Sequence, residues 1–118
     1  MKPALNVWSK KEILGHLIDS AANNHQRFIR LQVDREVTLP GYDQDFWVKA
    51  NGYQRASWSD VVTLWASYNL HLATVIENID PACAEHIWHH PDADYTLKFL
   101  VDDYVVHMLH HLVQIGAA

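Results

Sequence analysis

The chain has 118 residues, of which 49% are hydrophobic and five are tryptophan, so it can bury the core of one domain and is not a disordered chain. Its formal charge is -5, with only nine lysines and arginines, which argues against binding to a nucleic-acid backbone. It shows neither a bilayer-spanning apolar run nor the apolar core of a signal peptide, and its single Cys83 suits a reducing compartment, so we expect a soluble cytoplasmic protein without a membrane partner.

The first predicted helix starts at a capping box, in which Ser9 caps the helix and Glu12 reaches back to it. No proline interrupts the following residues, and we expect this helix to end at about Arg35. Apolar side chains at helical spacing gather on one arc, and a polar stripe lies beside that arc. The stripe consists of His16, Ser20, Asn23 and Arg27. Such a stripe next to a core face is typical of a site inside a helical bundle.

Residues 38–56 form the one long connection. They contain the turn signals Pro40-Gly41 and Asn51-Gly52, which predict an irregular loop. They also contain four aromatic residues, so we expect the loop to pack over a helix end, in the manner of a lid.

Two further helices complete the predicted bundle. The second begins at Ser57 or Ser59 and runs to about Ile79 with eight apolar residues at helical spacing. Residues 82–95 are predicted to be irregular, and the third helix covers residues 97–115. The absence of an alternating strand pattern and of a glycine-rich phosphate loop indicates an all-α fold, a single domain built on three long helices.

Histidines on the third helix are the main candidates for chemistry. His107 and His111 are four residues apart, so they project from one helix face and can reach one transition-metal ion. His16 on the first helix is the best candidate for a third ligand. Three neutral imidazoles and an open position suit a catalytic metal, which lowers the pKa of a bound water or thiol. The pair alone is a weak motif, and nothing in the residues themselves shows that the two helices face each other there.

Five polar residues near these histidines are candidates for hydrogen bonds to the ligands or for contacts with a substrate: Asp19, Asn23, Arg27, Asp103 and Gln114. Asp103 lies one turn before His107, and Asp19 lies three residues after His16, so either carboxylate could accept an imidazole N–H. For the others, ordinary hydrogen bonding inside the bundle is an equally good interpretation. The remaining six histidines are placed outside the site.

Four segments resemble a known family, the DinB/YfiT-like superfamily, and the resemblance extends from Trp8 to Ile115. They are WSKKEILGHLIDSAANNHQRF near the start of the chain, the YDQDFW loop at residues 42–47, TLWASYNLHL, and TLKFLVDDYVVHMLHHLVQI near the end. The most specific elements of the resemblance are GHLIDS followed by HxxxHHxxQI. The usual family helix before the WSKKE segment has no counterpart here, so three of the four long bundle helices are present. The fourth position is then missing or supplied by a partner chain.

The resemblance implies a four-helix bundle that holds a divalent transition metal, with zinc or nickel favoured. The implied ligands are His16, His107 and His111. Members of the family are metal-dependent hydrolases or transferases of a low-molecular-weight thiol, act on small molecules and often form homodimers. One hypothesis is therefore a metal-dependent enzyme of this type. The alternative is a non-catalytic helical module that dimerises and keeps the histidines as a vestigial or structural cluster.

Overall fold

Helices make up most of the structure, a computed structural model that describes residues 7–116. In chain order, α1 covers Lys10–Val33, α2 covers Gln44–Asn51, α3 covers Trp58–Glu77 and α4 covers Leu97–Gln114. α1 contacts each of the other three helices and so joins the bundle together. The expected bundle with three long helices is confirmed, and α3 uses the first of its two predicted caps, Ser57.

The N-terminus of α1 forms the capping box that its sequence predicts. The Ser9 hydroxyl accepts a hydrogen bond from the Glu12 N–H at 3.1 Å, and the Glu12 carboxylate accepts one from the Ser9 N–H at 3.1 Å. Both bonds satisfy donors that the first helical turn would otherwise leave unpaired. The helix ends at Val33, two residues before the predicted end, because Asp34 adopts an extended backbone.

α1 also carries an unusual share of polar groups into the core. Its apolar face contributes to two buried clusters, one around Phe28 and Leu31 and the other around Leu14 and Leu17. Every buried polar side chain in residues 7–116 lies on α1 or at its cap: Ser9, Glu12, His16, Asp19, Ser20, Asn24 and Arg27. Burying polar groups costs free energy unless they are paired, so this face of α1 is where a site is to be sought.

A small sheet is the feature that the sequence did not predict. Its strands are β1 (Glu36–Thr38), β2 (Ile87–His89) and β3 (Asp94–Thr96), in the order β1-β2-β3. β1 and β2 are parallel, whereas β2 and β3 are antiparallel. The prediction of an irregular segment at 82–95 was therefore wrong for β2 and β3. Strands of three residues are too short to show the alternation by which strands are recognised.

One exposed histidine links all three strands of this sheet. The ring of His89 lies 2.9 Å from a carboxylate oxygen of Glu36 on β1 and 2.7 Å from one of Asp94 on β3. These hydrogen bonds, first that to Asp94 and then that to Glu36, raise the pKa of His89 above its ordinary value.

The connection between β1 and α3 is more regular than predicted. It contains α2, whose cap Asp43 accepts a hydrogen bond from the Phe46 N–H at 3.1 Å, and a 3-10 turn over Tyr53–Arg55. Gly52 ends α2 in the left-handed region, at φ 68°. The prediction of an irregular loop at 38–56 was wrong for the residues of α2. This helix could not be recognised from its sequence, because it buries only Val48 and has too small an apolar face.

Several large apolar side chains remain exposed on the outer faces of α3 and α4: Leu64, Leu70, Val105, Val106, Leu109 and Val113. A helix face of this kind is usually covered by another element or another chain. None of the helices within residues 7–116 is both long and apolar enough to cross a bilayer.

Candidate metal centre

Three histidine rings from two helices meet inside the bundle. His16 is buried on α1, while His107 and His111 come from adjacent turns of α4. The Nε2 atom of His107 lies 3.3 Å from Nε2 of His16 and 3.2 Å from Nε2 of His111. One ring nitrogen from each of the three lies within 4.8 Å of the others, and together they could hold a metal ion. The packing of α4 against α1 supplies the convergence that the sequence alone does not show.

Two of the three separations between these nitrogen atoms fit a tetrahedral metal. Zinc–nitrogen bonds of about 2.0–2.1 Å at tetrahedral angles separate two ligand nitrogens by roughly 3.3–3.4 Å. The two Nε2–Nε2 distances of 3.3 Å and 3.2 Å are close to that separation. The three rings are nearly perpendicular to one another, with interplanar angles of 80° to 84°.

Burial favours the neutral, metal-binding form of two of these imidazoles, His16 and His107. Burial, reinforced by the neighbouring His107 and His111, lowers the pKa of His16 to about 4. Burial also lowers the pKa of His107, an effect that His111 reinforces and the carboxylate of Asp103 opposes. A ligand that is already neutral near pH 7 loses no proton when a metal binds, so the site is electrostatically prepared for one.

Gln114 fixes the orientation of His111. Its side-chain oxygen lies 2.8 Å from Nδ1 of His111, so that Nδ1–H donates and Nε2 is left free as the ligand atom. In contrast, Nδ1 of His16 is buried with no hydrogen-bond partner among the residues that the structure describes. The ring of Trp8 packs beside His16 instead, with ring centroids 4.8 Å apart.

The Asp19 carboxylate, a candidate acceptor for an imidazole N–H, has other hydrogen-bond partners. Its Oδ1 atom accepts hydrogen bonds from the Tyr53 hydroxyl at 2.6 Å and from the Asn51 amide at 2.9 Å. Within residues 7–116 no hydrogen bond joins this carboxylate to His16, so Asp19 ties α1 to the end of α2 rather than orienting a ligand. Burial raises the pKa of Asp19 to about 6, although the two hydrogen bonds oppose the increase.

The other candidate residues separate into two groups. Asn23 donates to the backbone oxygen of Asp19 at 2.9 Å and lies outside the cavity beside the histidines. Asp103 and Arg27 both line that cavity, together with His107. Its volume is about 300 Å³, at the lower end of the range for small-molecule sites. The cavity is bordered by His107, so a molecule bound in it would lie next to the candidate metal centre.

The cavity also contains residues that the sequence analysis did not select. Tyr42, Trp88 and His90 form part of its wall, although His90 was predicted to lie outside the site. Tyr42 precedes α2, and the other two lie at and just after β2, so they approach α1 from distant parts of the chain. The parallel pairing of β1 with β2 helps to place Trp88 and His90 beside α1, and short-range sequence patterns carry no signal for that pairing.

The fold and the histidine cluster together define a helical bundle protein with a candidate metal centre between two of its helices. The chain belongs to the DinB superfamily, whose family profile matches residues 1–115. The resemblance seen in the sequence is thereby confirmed.

Two relatives illustrate the likeness. A protein of Bacillus mycoides (strain KBAB4), named as a putative metal-dependent hydrolase, is 23% identical over 109 residues, which are 92% of this chain and 62% of that protein. The chain thus spans about three fifths of this curated relative. The structure of YfiT from Bacillus subtilis, described as a probable metal-dependent hydrolase with an unusual four-helix bundle topology, matches with a TM-score of 0.87. That match covers 98% of this chain and 67% of YfiT at 21% identity, and it establishes the fold.

Proposed function

We propose that this chain carries the metal centre of a hydrolase that acts on a small molecule, with His16, His107 and His111 as the metal ligands. The observation that supports the proposal best is the convergence of three histidine ring nitrogens within 4.8 Å of one another, with Nε2 of His107 3.3 Å from that of His16 and 3.2 Å from that of His111. The family of the chain and the names of its relatives point to the same chemistry.

When bound by three histidines, zinc or nickel would keep a position for a water or thiol and lower its pKa toward neutrality. The chain's own residues supply the rest. His16 is 1% exposed, so the core fixes its position. Gln114 sets the tautomer of His111. Asp103 stands at the cavity wall next to His107, where its carboxylate favours positive charge on that imidazole.

Elemental analysis of the purified protein tests the metal centre directly. We expect about one zinc or nickel ion per chain, lost in His107→Ala because two imidazoles bind far more weakly than three. The matched control is His71→Ala, since His71 is an exposed histidine on α3 outside the cluster. Circular dichroism shows whether each variant is folded. Native protein that takes up neither ion at micromolar concentration would contradict the proposal, as would a folded His107→Ala variant that retains the metal.

The same centre would also suit transfer of a low-molecular-weight thiol to an electrophile, because a thiol is a good ligand for zinc and is activated when it loses its proton. Turnover of ester and amide substrates with and without an added thiol separates the two reactions. A hydrolase forms product without the thiol, whereas product that appears only with the thiol, and contains it, identifies a transferase.

A second candidate function is a non-catalytic module that assembles as a homodimer. The exposed apolar residues of α3 and α4, such as Leu70 (74% exposed) and Val106 (65% exposed), favour an interface on those helices. Light scattering after gel filtration tests the assembly: a folded monomer at micromolar concentration contradicts it. We place the protein in the cytoplasm, a proposal supported by Cys83, which is a free cysteine.

A further inference from the structure

Arg27 is a buried cation that has no counter-ion in the part of the chain that the structure describes. Its side chain is only 9% exposed, and its guanidinium lies 4.0 Å from the centre of the Trp88 ring. Its one hydrogen bond is a long contact from Nη1 to the Asn24 side-chain oxygen, at 3.4 Å. No carboxylate within residues 7–116 forms an ion pair with it.

Such an arrangement is costly unless something else satisfies the charge. A guanidinium has five N–H donors, and residues 7–116 engage only one of them. Stacking on Trp88 offsets part of the desolvation cost by a cation–π interaction but leaves the edge of the guanidinium, where the donors are, without acceptors. A buried charge that is not paired is strongly destabilising. The unused donors are therefore suited to an anion that enters from outside.

The location of Arg27 connects it to the candidate metal centre. Arg27 follows His16 by eleven residues on α1, which is three helical turns, so both side chains project from nearly the same face. Their Cα atoms are separated by roughly 16 Å along the helix axis. Arg27 and His107 line the same cavity of about 300 Å³. A molecule in that cavity can therefore contact the guanidinium with one end and the histidine cluster with the other.

The charges on the cavity wall favour a single negative charge on the ligand. Arg27 is the only lysine or arginine among the lining residues, and Asp103 is the only carboxylate. A monoanionic carboxylate matches the one guanidinium and can accept two parallel hydrogen bonds from its edge. A phosphate dianion bound at Arg27 would bring a second charge that no other lysine or arginine among these lining residues meets.

The rest of the wall indicates the body of the ligand. Tyr95, Phe99, Leu100 and Tyr104 line the cavity beside Trp88 and present aromatic and aliphatic surface. Apolar surface of this kind favours a hydrophobic or aromatic group between the two ends of the ligand.

We propose that Arg27 binds the carboxylate of the substrate, and that the substrate is a small, largely apolar carboxylic acid whose reacting group lies at the histidine end of the cavity. The location of the reacting group rests on the proposed function, whereas the binding of a carboxylate at Arg27 does not. Trp88 and Asn24 are positioning residues for the guanidinium.

Calorimetric titration of metal-free protein tests the carboxylate site separately from the metal. The probe is 3-phenylpropionate, and its control is the neutral 3-phenylpropanamide, which has nearly the same shape. We expect the acid to bind native protein at least about tenfold more tightly than the amide, because hydrogen bonds to a charged partner are worth more than neutral ones. Equal affinities of acid and amide, or no binding of the acid at millimolar concentration, would overturn the proposal without any variant.

Two variants then assign the effect to one side chain. Arg27→Gln should weaken binding of the acid at least tenfold and leave binding of the amide nearly unchanged. Arg30→Gln is the matched control, since Arg30 is exposed on the same helix and should bind both probes like the native protein. Acid binding that survives in a folded Arg27→Gln variant would refute the role of Arg27. Inorganic phosphate that binds more tightly than the acid would refute the choice of a carboxylate. Loss of the metal in the separate elemental analysis affects neither result.

Discussion

The contact between Gly15 and Tyr53 provides a sharp test of how α1 is held. Gly15 lies within α1 and is covered by the ring of Tyr53: a Cβ atom added at this position would lie 2.2 Å from Cδ2 and 2.4 Å from Cγ of that ring. The ring is not free to withdraw, because Tyr53 is 8% exposed and its hydroxyl donates to Asp19 at 2.6 Å.

Gly15→Ala therefore sets two effects against each other. Within a helix, alanine in place of glycine stabilises the fold by about 1 kcal/mol. Forcing a methyl group into a packed core costs about 1–3 kcal/mol, and displacing the Tyr53 hydroxyl from the Asp19 carboxylate costs about 1.5–3 kcal/mol more. We expect a net loss of about 1.5–5 kcal/mol in the free energy of unfolding, so that the contact outweighs the helical preference.

A double-mutant cycle measured by urea unfolding isolates this contact. In a Tyr53→Ala background the obstacle is gone, and Gly15→Ala should then stabilise the fold by about 1 kcal/mol. The reversal of sign is the result to look for. If Gly15→Ala stabilises the native protein as much as it stabilises the Tyr53→Ala variant, the ring moves at little cost and the argument fails.

Two further predictions concern the core and the response to pH. Leu72→Ala should lower the free energy of unfolding by about 2–5 kcal/mol, because Leu72 is 1% exposed. The control is Leu70→Ala on the same helix, where the side chain is 74% exposed and the change should be less than about 0.5 kcal/mol. Similar losses for the two variants in urea unfolding would show that α3 packs differently. Asp19 has a pKa of about 6 in the fold against an ordinary 3.8, so its contribution to stability is complete below pH 3.8 and is lost as the pH rises through 6. Between pH 4 and 7 the native protein should therefore lose up to about 2–3 kcal/mol relative to Asp19→Asn; a difference that stays constant over that range would show that Asp19 does not titrate in this way.

Local patterns predicted the elements that are long enough to carry them. The capping box at Ser9, the start of α3 after Ser57 and the extent of α4 all follow from signals within one or two helical turns. The spacing of His107 and His111 is likewise fixed by one helix. The approach of His16 to that pair depends on how two helices pack, and only the family resemblance indicated it before the structure did.

The parts that were missed depend on contacts between distant residues. α2 is held by a few contacts with α1 and buries only one of its own side chains, Val48. The partner of the Asp19 carboxylate is Tyr53, 34 positions away in the chain, and no spacing rule connects the two. Arg27 was recognised as a candidate substrate contact, but the stacking ring of Trp88 that makes it a buried, unpaired cation comes from β2.

The parallel pairing of β1 with β2 has a consequence for the order of assembly. Glu36 and Ile87, which face each other in this pair, are 51 positions apart, and closing a loop of that length costs about 3–4 kcal/mol of chain entropy before any contact repays it. Helices form from neighbouring residues and do not carry this cost. The strands therefore pair late, after the packing of α1 against α3 has brought β1 and β2 close together. The three histidines of the cluster lie on helices, which form early in folding. Trp88 lies on β2, which pairs late. A brief local unfolding of the strands could thus open the cavity wall while the ligand cluster stays intact.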